Sequence, residues 1–319
     1  MKNYKKNTLS LFIFTLLSVW ANLANAALCT GSGTAASPIT DTGSDLGSCT
    51  TEPDLYRVKL YEMGLCTTTP SLTNRATVCK SVVNNPDGSL ITVQNGVDTV
   101  IPGTFTRPDN GIYTYGYIVI APEFRITTVK NFGNSKKLKG KTGYGSVCWT
   151  LAGTYRDSGN TGSYDGSGKL TAIAAETRST YMAECGSTAG TAAETVIVQD
   201  SFGGAAIGTG ENDGDATATA TVDGQTVTAH LTDSDMLADA TSSANVTRLV
   251  VFTLFPTAVN VTDDTRKFIS SFKVSEGSMI GYDGFGAGTA NDGETADANS
   301  LGSAKYIGSG PFAVKLTVQ

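Results

Sequence analysis

Apolar and polar positions alternate with a period of two through much of this chain, and almost no stretch carries helical spacing. Tyr56-Arg57-Val58-Lys59-Leu60-Tyr61 reads as a half-buried strand, and Ile112 to Ala121 (IYTYGYIVIA) is the most strand-like run. Val147 to Leu151, Thr195 to Val198, Leu249 to Phe255 and Phe268 to Val274 add further strands. Gly, Asn, Asp and Pro turns separate them. Only Asp233 to Asn245 has room for one or two helical turns.

One hairpin follows in detail from its turn. Ala216 to Val222 (ATATATV) leads into Asp223-Gly224 and then Gln225 to Leu231 (QTVTAHL). Asp-Gly suits a two-residue type I′ turn, because both central positions need positive φ. The register is then set: Thr221 faces Thr226, Thr219 faces Thr228, and Thr217 faces His230. The other side carries Ala220 with Val227, Ala218 with Ala229, and Ala216 with Leu231. A threonine face turns to water and a small apolar face packs. His230 falls on the wet side, away from any catalytic pocket.

At the C-terminus, Phe312, Val314, Leu316 and Val318 alternate with Ala313, Lys315, Thr317 and Gln319, so the chain ends inside a strand. That strand pairs within its own sheet or, alternatively, exchanges into another subunit and acts as an assembly strand. Short strands without helices imply an all-β fold of antiparallel sheets, a β-sandwich or jelly roll, as one body or two. An outer-membrane barrel also alternates, but six Cys and only 8% aromatic residues argue against it.

The first residues have the parts of a secretion signal: Lys2, Lys5 and Lys6, the apolar run Leu9 to Trp20, and an Ala24-Asn25-Ala26 cleavage site. Leu28 before Cys29 is too large for a lipoprotein signal. The expected organisation is a signal peptide over 1–26, a polar arm over 27–53, a disulfide-containing β region over 54–185 and an acidic, Cys-free β region over 186–319. The last two also fit one continuous sandwich. No other apolar run reaches about 18 residues, so the mature chain has no expected transmembrane segment. The expected destination is extracellular or the cell surface, with the periplasm as the alternative.

Six cysteines (Cys29, Cys49, Cys66, Cys79, Cys148 and Cys185) survive cleavage. An even count in an exported chain implies three bridges, and fifteen connectivities are open. Short closures are the expectation: Cys29–Cys49, Cys66–Cys79 and Cys148–Cys185. No C-x-x-C pair offers a zinc site.

Charge sharpens the picture. The net charge is −6, and removing the three signal lysines makes it −9. Residues 27–185 hold 14 basic and 13 acidic groups, whereas 186–319 hold 6 and 16. An acidic exported chain is a poor nucleic-acid partner. Lys130, Lys136, Lys137, Lys139 and Lys141 form a basic stretch, read either as a solvated loop or as a docking patch for a polysaccharide or for the acidic half of another copy.

Little points to catalysis. A single His excludes a multi-histidine metal centre. Asp41-Thr42-Gly43-Ser44 resembles the fingerprint of the pepsin-like aspartic proteases, with Asp157-Ser158-Gly159 as the second carboxylate. The family places its aspartates after apolar residues on buried strands; here Thr40 and Arg156 precede them, and the likeness covers seven residues. Asp213, Asp215, Asp292, Glu294 and Asp297 lie in glycine-rich loops with calcium-suited oxygens, but none fits the EF-hand spacing. No other cofactor is implied. Tyr113, Tyr115 and Tyr117 share one strand face opposite Ile112, Ile118 and Ile120, and an exposed row would make a sugar-stacking platform. The expected role is therefore a non-enzymatic structural subunit of an extracellular filament, pilus-like fibre or surface layer that associates with itself. A carbohydrate-binding or adhesive module is the alternative, and an aspartic protease a remote one.

Overall fold

The computed structural model describes residues 29–39, 48–94, 97, 99–133, 137–156, 163–164, 170–172, 182–202, 207–208, 215–222, 224–274, 277–283, 300–309 and 313–319. The strands in chain order are β1 (Ser48–Thr51), β2 (Leu55–Cys66), β3 (Cys79–Val93), β4 (Thr104–Phe105), β5 (Gly111–Thr127), β6 (Val129–Asn131) and β7 (Lys137–Lys139). Next come β8 (Tyr144–Gly145), β9 (Val147–Thr150), β10 (Gly153–Arg156), β11 (Ser163–Tyr164), β12 (Leu170–Ala172), β13 (Ala183–Gly186) and β14 (Thr195–Val198). The last seven are β15 (Thr217–Val222), β16 (Gln225–Thr232), β17 (Arg248–Val261), β18 (Phe268–Lys273), β19 (Ser278–Asp283), β20 (Ser300–Ser309) and β21 (Ala313–Val318). All six strands expected from alternation are present, and pairing is almost entirely antiparallel.

The largest sheet runs β15-β16-β17-β5-β2-β3-β4, with β14 joining β5 beyond β17 and β10 pairing β14. Its hub is β5, hydrogen-bonded to β2, β14 and β17. Strands from before and after residue 186 therefore lie side by side, so the two β regions share one sheet. The polar arm is also built in: β1 pairs β19, and Ile39 and Cys49 are buried.

The centre of this sheet is buried on both faces. Val58, Leu60, Ile118, Ile120, Phe124, Ile126, Leu231, Leu249 and Val251 belong to the larger core. Cys66, Leu72, Cys79, Tyr117, Val119, Val250 and Phe252 form a second cluster. The segment between β2 and β3, with a short helix at Arg75–Val78 and the Cys66–Cys79 bridge, contributes Leu72 and Cys79 to that cluster. Gly116 is required in β5: a Cβ there would sit 2.5 Å from the Phe255 ring.

The hairpin register is the one derived from its turn, from Thr217 opposite His230 to Val222 opposite Gln225. The three disulfides pair Cys29–Cys49, Cys66–Cys79 and Cys148–Cys185. The helical turns expected over Asp233 to Asn245 reduce to a 3-10 turn at Ser243–Asn245. There the Asp233 carboxylate accepts the N–H groups of Asp235 and Met236, and Met236 takes φ 57°, which ends any helix. β3 runs through the turn-forming residues Asn84-Asn85-Pro86-Asp87-Gly88. The strand takes up these residues as a bulge, the pairing stepping from Leu60–Ser89 to Glu62–Asn84.

Candidate functional site

The tyrosine row is not an open platform. Tyr113 and Tyr117 are 2% and 3% exposed, and only Tyr115 is half-exposed. The reason lies on the neighbouring strand. Gly64 faces Tyr117, and its missing Cβ leaves room for the ring. The Tyr117 hydroxyl donates to Glu62 at 2.6 Å, and Arg75 donates to the same carboxylate at 2.7 Å. Burial, then the negative charge of Glu62, push the Tyr117 hydroxyl far above the usual tyrosine range. Ile112, on the apolar face expected inside, is 63% exposed, so the assignment of inner and outer faces is reversed at the start of β5.

The first lysine of the basic stretch is not a surface charge. Lys130 is 5% exposed, and its ammonium pairs with Asp54 at 3.2 Å. The other Asp54 oxygen accepts the Val129 N–H at 2.7 Å. Lys137 and Lys139 lie on β7, and Lys141 is half-buried in the following turn. Lys136 lies outside the described residues. The turn is held by Glu184, whose carboxylate accepts N–H bonds from Thr142, Gly143 and Cys185 and the Thr142 hydroxyl. Burial alone would raise the Glu184 pKa, but these donors outweigh it and lower it.

Asp41 and Asp157 lie outside the described residues, as do Asp213, Asp292, Glu294, Asp297 and Phe312. Asp215 is exposed and exchanges backbone hydrogen bonds with Phe202. Among the described residues no group of three His, Cys, Asp or Glu side chains is placed to hold a metal. His230 is not simply solvated: its Nδ1 lies 2.9 Å from Asp239 and 3.2 Å from Thr217, with its ring edge-on to Phe252. Val314, Leu316 and Val318 lie on β21, which pairs with β18 of the same chain, and Gln319 exchanges backbone bonds with Lys267. The expected assembly strand is thus paired internally along one edge.

The borders of the main sheet differ sharply. At the β3 border, a bulge with Pro86 and Gly88 interrupts the strand, and Gly88 has φ 68°. The two-residue β4 covers Val83 and Asn84, and the Thr106 N–H reaches the Val82 carbonyl. Thr99 donates its hydroxyl to the Thr92 carbonyl at 3.0 Å. β10, beyond β14, is four residues long and includes Arg156. These are the usual means of blunting an edge.

At the opposite border, β15, the one such cover among the described residues is the Phe202 bridge to Asp215, just before the strand begins. The strand is six residues of Thr, Ala and Val, without charge, Pro, Gly or bulge. The Leu231 N–H donates to the Ala216 carbonyl at 2.7 Å, which fixes the even-numbered residues as those bonded to β16. The N–H and C=O groups of Thr217, Thr219 and Thr221 therefore turn outward. Among the described strands none pairs with that edge. The Thr219 and Thr221 side chains are exposed, and Ala218 is buried behind them. The flanking sequence is acidic: between Arg178 and Arg248 there are ten Asp or Glu and no Lys or Arg. Hairpin and turn were legible in the chain; that no described strand pairs with this edge became visible only once the order of strands was known.

No family model, curated protein or solved structure matches the chain. Its three disulfides are consistent with an extracellular or secreted protein. Among the described residues no helix is long and apolar enough to cross a membrane.

Proposed function

We propose that this chain is an exported structural subunit that works by associating with copies of itself, as a fibre or surface layer. The observation that carries the reading is the β15 edge, with which no described strand pairs, on a sheet whose other main border is blunted. An exposed row of unpaired backbone donors and acceptors is a template for another strand, and a sheet protein that works alone protects it. Strand addition supplies affinity through main-chain hydrogen bonds, so the interface needs no distinctive side chains. Three covalent bridges suit a subunit that must hold its shape outside the cell.

Static light scattering and negative-stain microscopy on the purified, oxidised protein test this. Mass rising with concentration, with elongated or sheet-like particles, is expected. A monomer at all concentrations and salt conditions would refute the reading.

A further inference from the structure

We infer that the β15 edge of one copy receives the β18–β21 sheet of the next, in a head-to-tail contact. The inference rests on the self-association reading and names the surface that completes it.

Two observations select the partner surface. The first is charge. The chain around β15 is acidic, with Asp215 exposed at its start and Asp223 the next residue in sequence after its end. Two β15 edges pairing antiparallel about Thr219 would bring Asp215 of each copy opposite Asp223 of the other, a like-charge contact at both ends. The strands of the β18–β21 sheet are basic in sequence, although Asp263 and Asp264 lie exposed just before them. Arg266 and Lys267 are exposed where it begins, Lys273 ends β18, and Lys315 lies in β21 opposite Ser271. Neither strand contains an acid. Neither Arg266 nor Lys267 forms an ion pair with a described residue.

The second is position. β18 and β21 form a two-stranded sheet, paired with no third strand among the described residues, so each strand has an outer edge. Phe268 of β18 packs 5.6 Å from Phe105 of β4, the border strand opposite β15. Donor and acceptor surfaces thus lie at different borders. A contact between unlike surfaces propagates into an open assembly unless its rotation closes a ring.

Three variants of the full mature chain test this by light scattering. Thr219→Pro removes an outward N–H while sparing every β15–β16 bond, and Thr219→Lys blocks the edge if proline disturbs the hairpin. The paired change Arg266→Glu with Lys267→Glu reverses the facing charge. Each should raise the concentration for half-assembly by about tenfold or more. Adding Asp215→Lys to the reversed pair should recover much of the loss. Loss in the Thr219 variants with no effect of charge reversal would mean that β15 pairs with something else, and would overturn the inference while sparing self-association. Assembly indifferent to Thr219→Lys would overturn it too. A wild-type protein that never assembles would overturn both readings.

Discussion

Glu194 shows how single side chains tie the strands. Arg57 of β2 stands directly opposite Arg125 of β5, an arrangement that is unfavourable between like charges. Glu194, just before β14, bonds to both arginines, and Glu123 takes the other arm of Arg125. Replacing Glu194 with Ala strands two facing cations and should cost about 1–3 kcal/mol. Adding Arg57→Ala should return part of it in a urea-unfolding cycle; strictly additive losses would contradict the bridge. Glu184 gives a pH signature. Its folded pKa lies below the usual 4.5, so the stability it contributes is complete above that value and fades as pH falls through the folded pKa. The melting-temperature gap between wild type and Glu184→Gln should therefore be wide at neutral pH and narrow well below pH 4.5. An unchanged gap would exclude the carboxylate as its source.

At the level of elements, the Cys66–Cys79 bridge joins directly opposed residues of β2 and β3 and closes a loop with a sequence separation of 13. It also belongs to the second apolar cluster with Tyr117. Replacing both cysteines with Ala should cost about 3 kcal/mol in denaturant unfolding. A loss below about 1 kcal/mol would mean that the segment between β2 and β3 holds without it. Elements were the best-read scale of this chain. The Asp223-Gly224 turn dictated a register that holds residue for residue, because a two-residue turn leaves no freedom to slip. Alternation failed where its assumption failed. It presumes one wet face, whereas β5 is covered on both, so Tyr117 went inward with Ile118 and Ile120. Lys130 misled for a similar reason: a lysine counted as surface charge lies buried, paired with an aspartate 76 positions away in sequence. Long-range partners of that kind leave no local pattern.

Across the molecule, β5 binds the cysteine-bearing and acidic halves into one sheet. Trp149 is the one tryptophan within residues 27–319, and it lies before residue 186. Unfolding followed by Trp149 fluorescence should coincide with loss of β-sheet circular dichroism; two separated midpoints would mean that the halves are independent. The acidic bias and the edge without a described partner strand meet at β15, where association would leave its clearest mark. Amide hydrogen exchange at Thr219 and Thr221, compared between dilute and concentrated protein, reads that edge directly. These outward N–H groups should exchange freely when dilute and slow by about tenfold or more on association, while the already bonded Ala218 and Ala220 change little. Equal rates at Thr219 and Thr221 in assembled and dispersed protein would contradict the account.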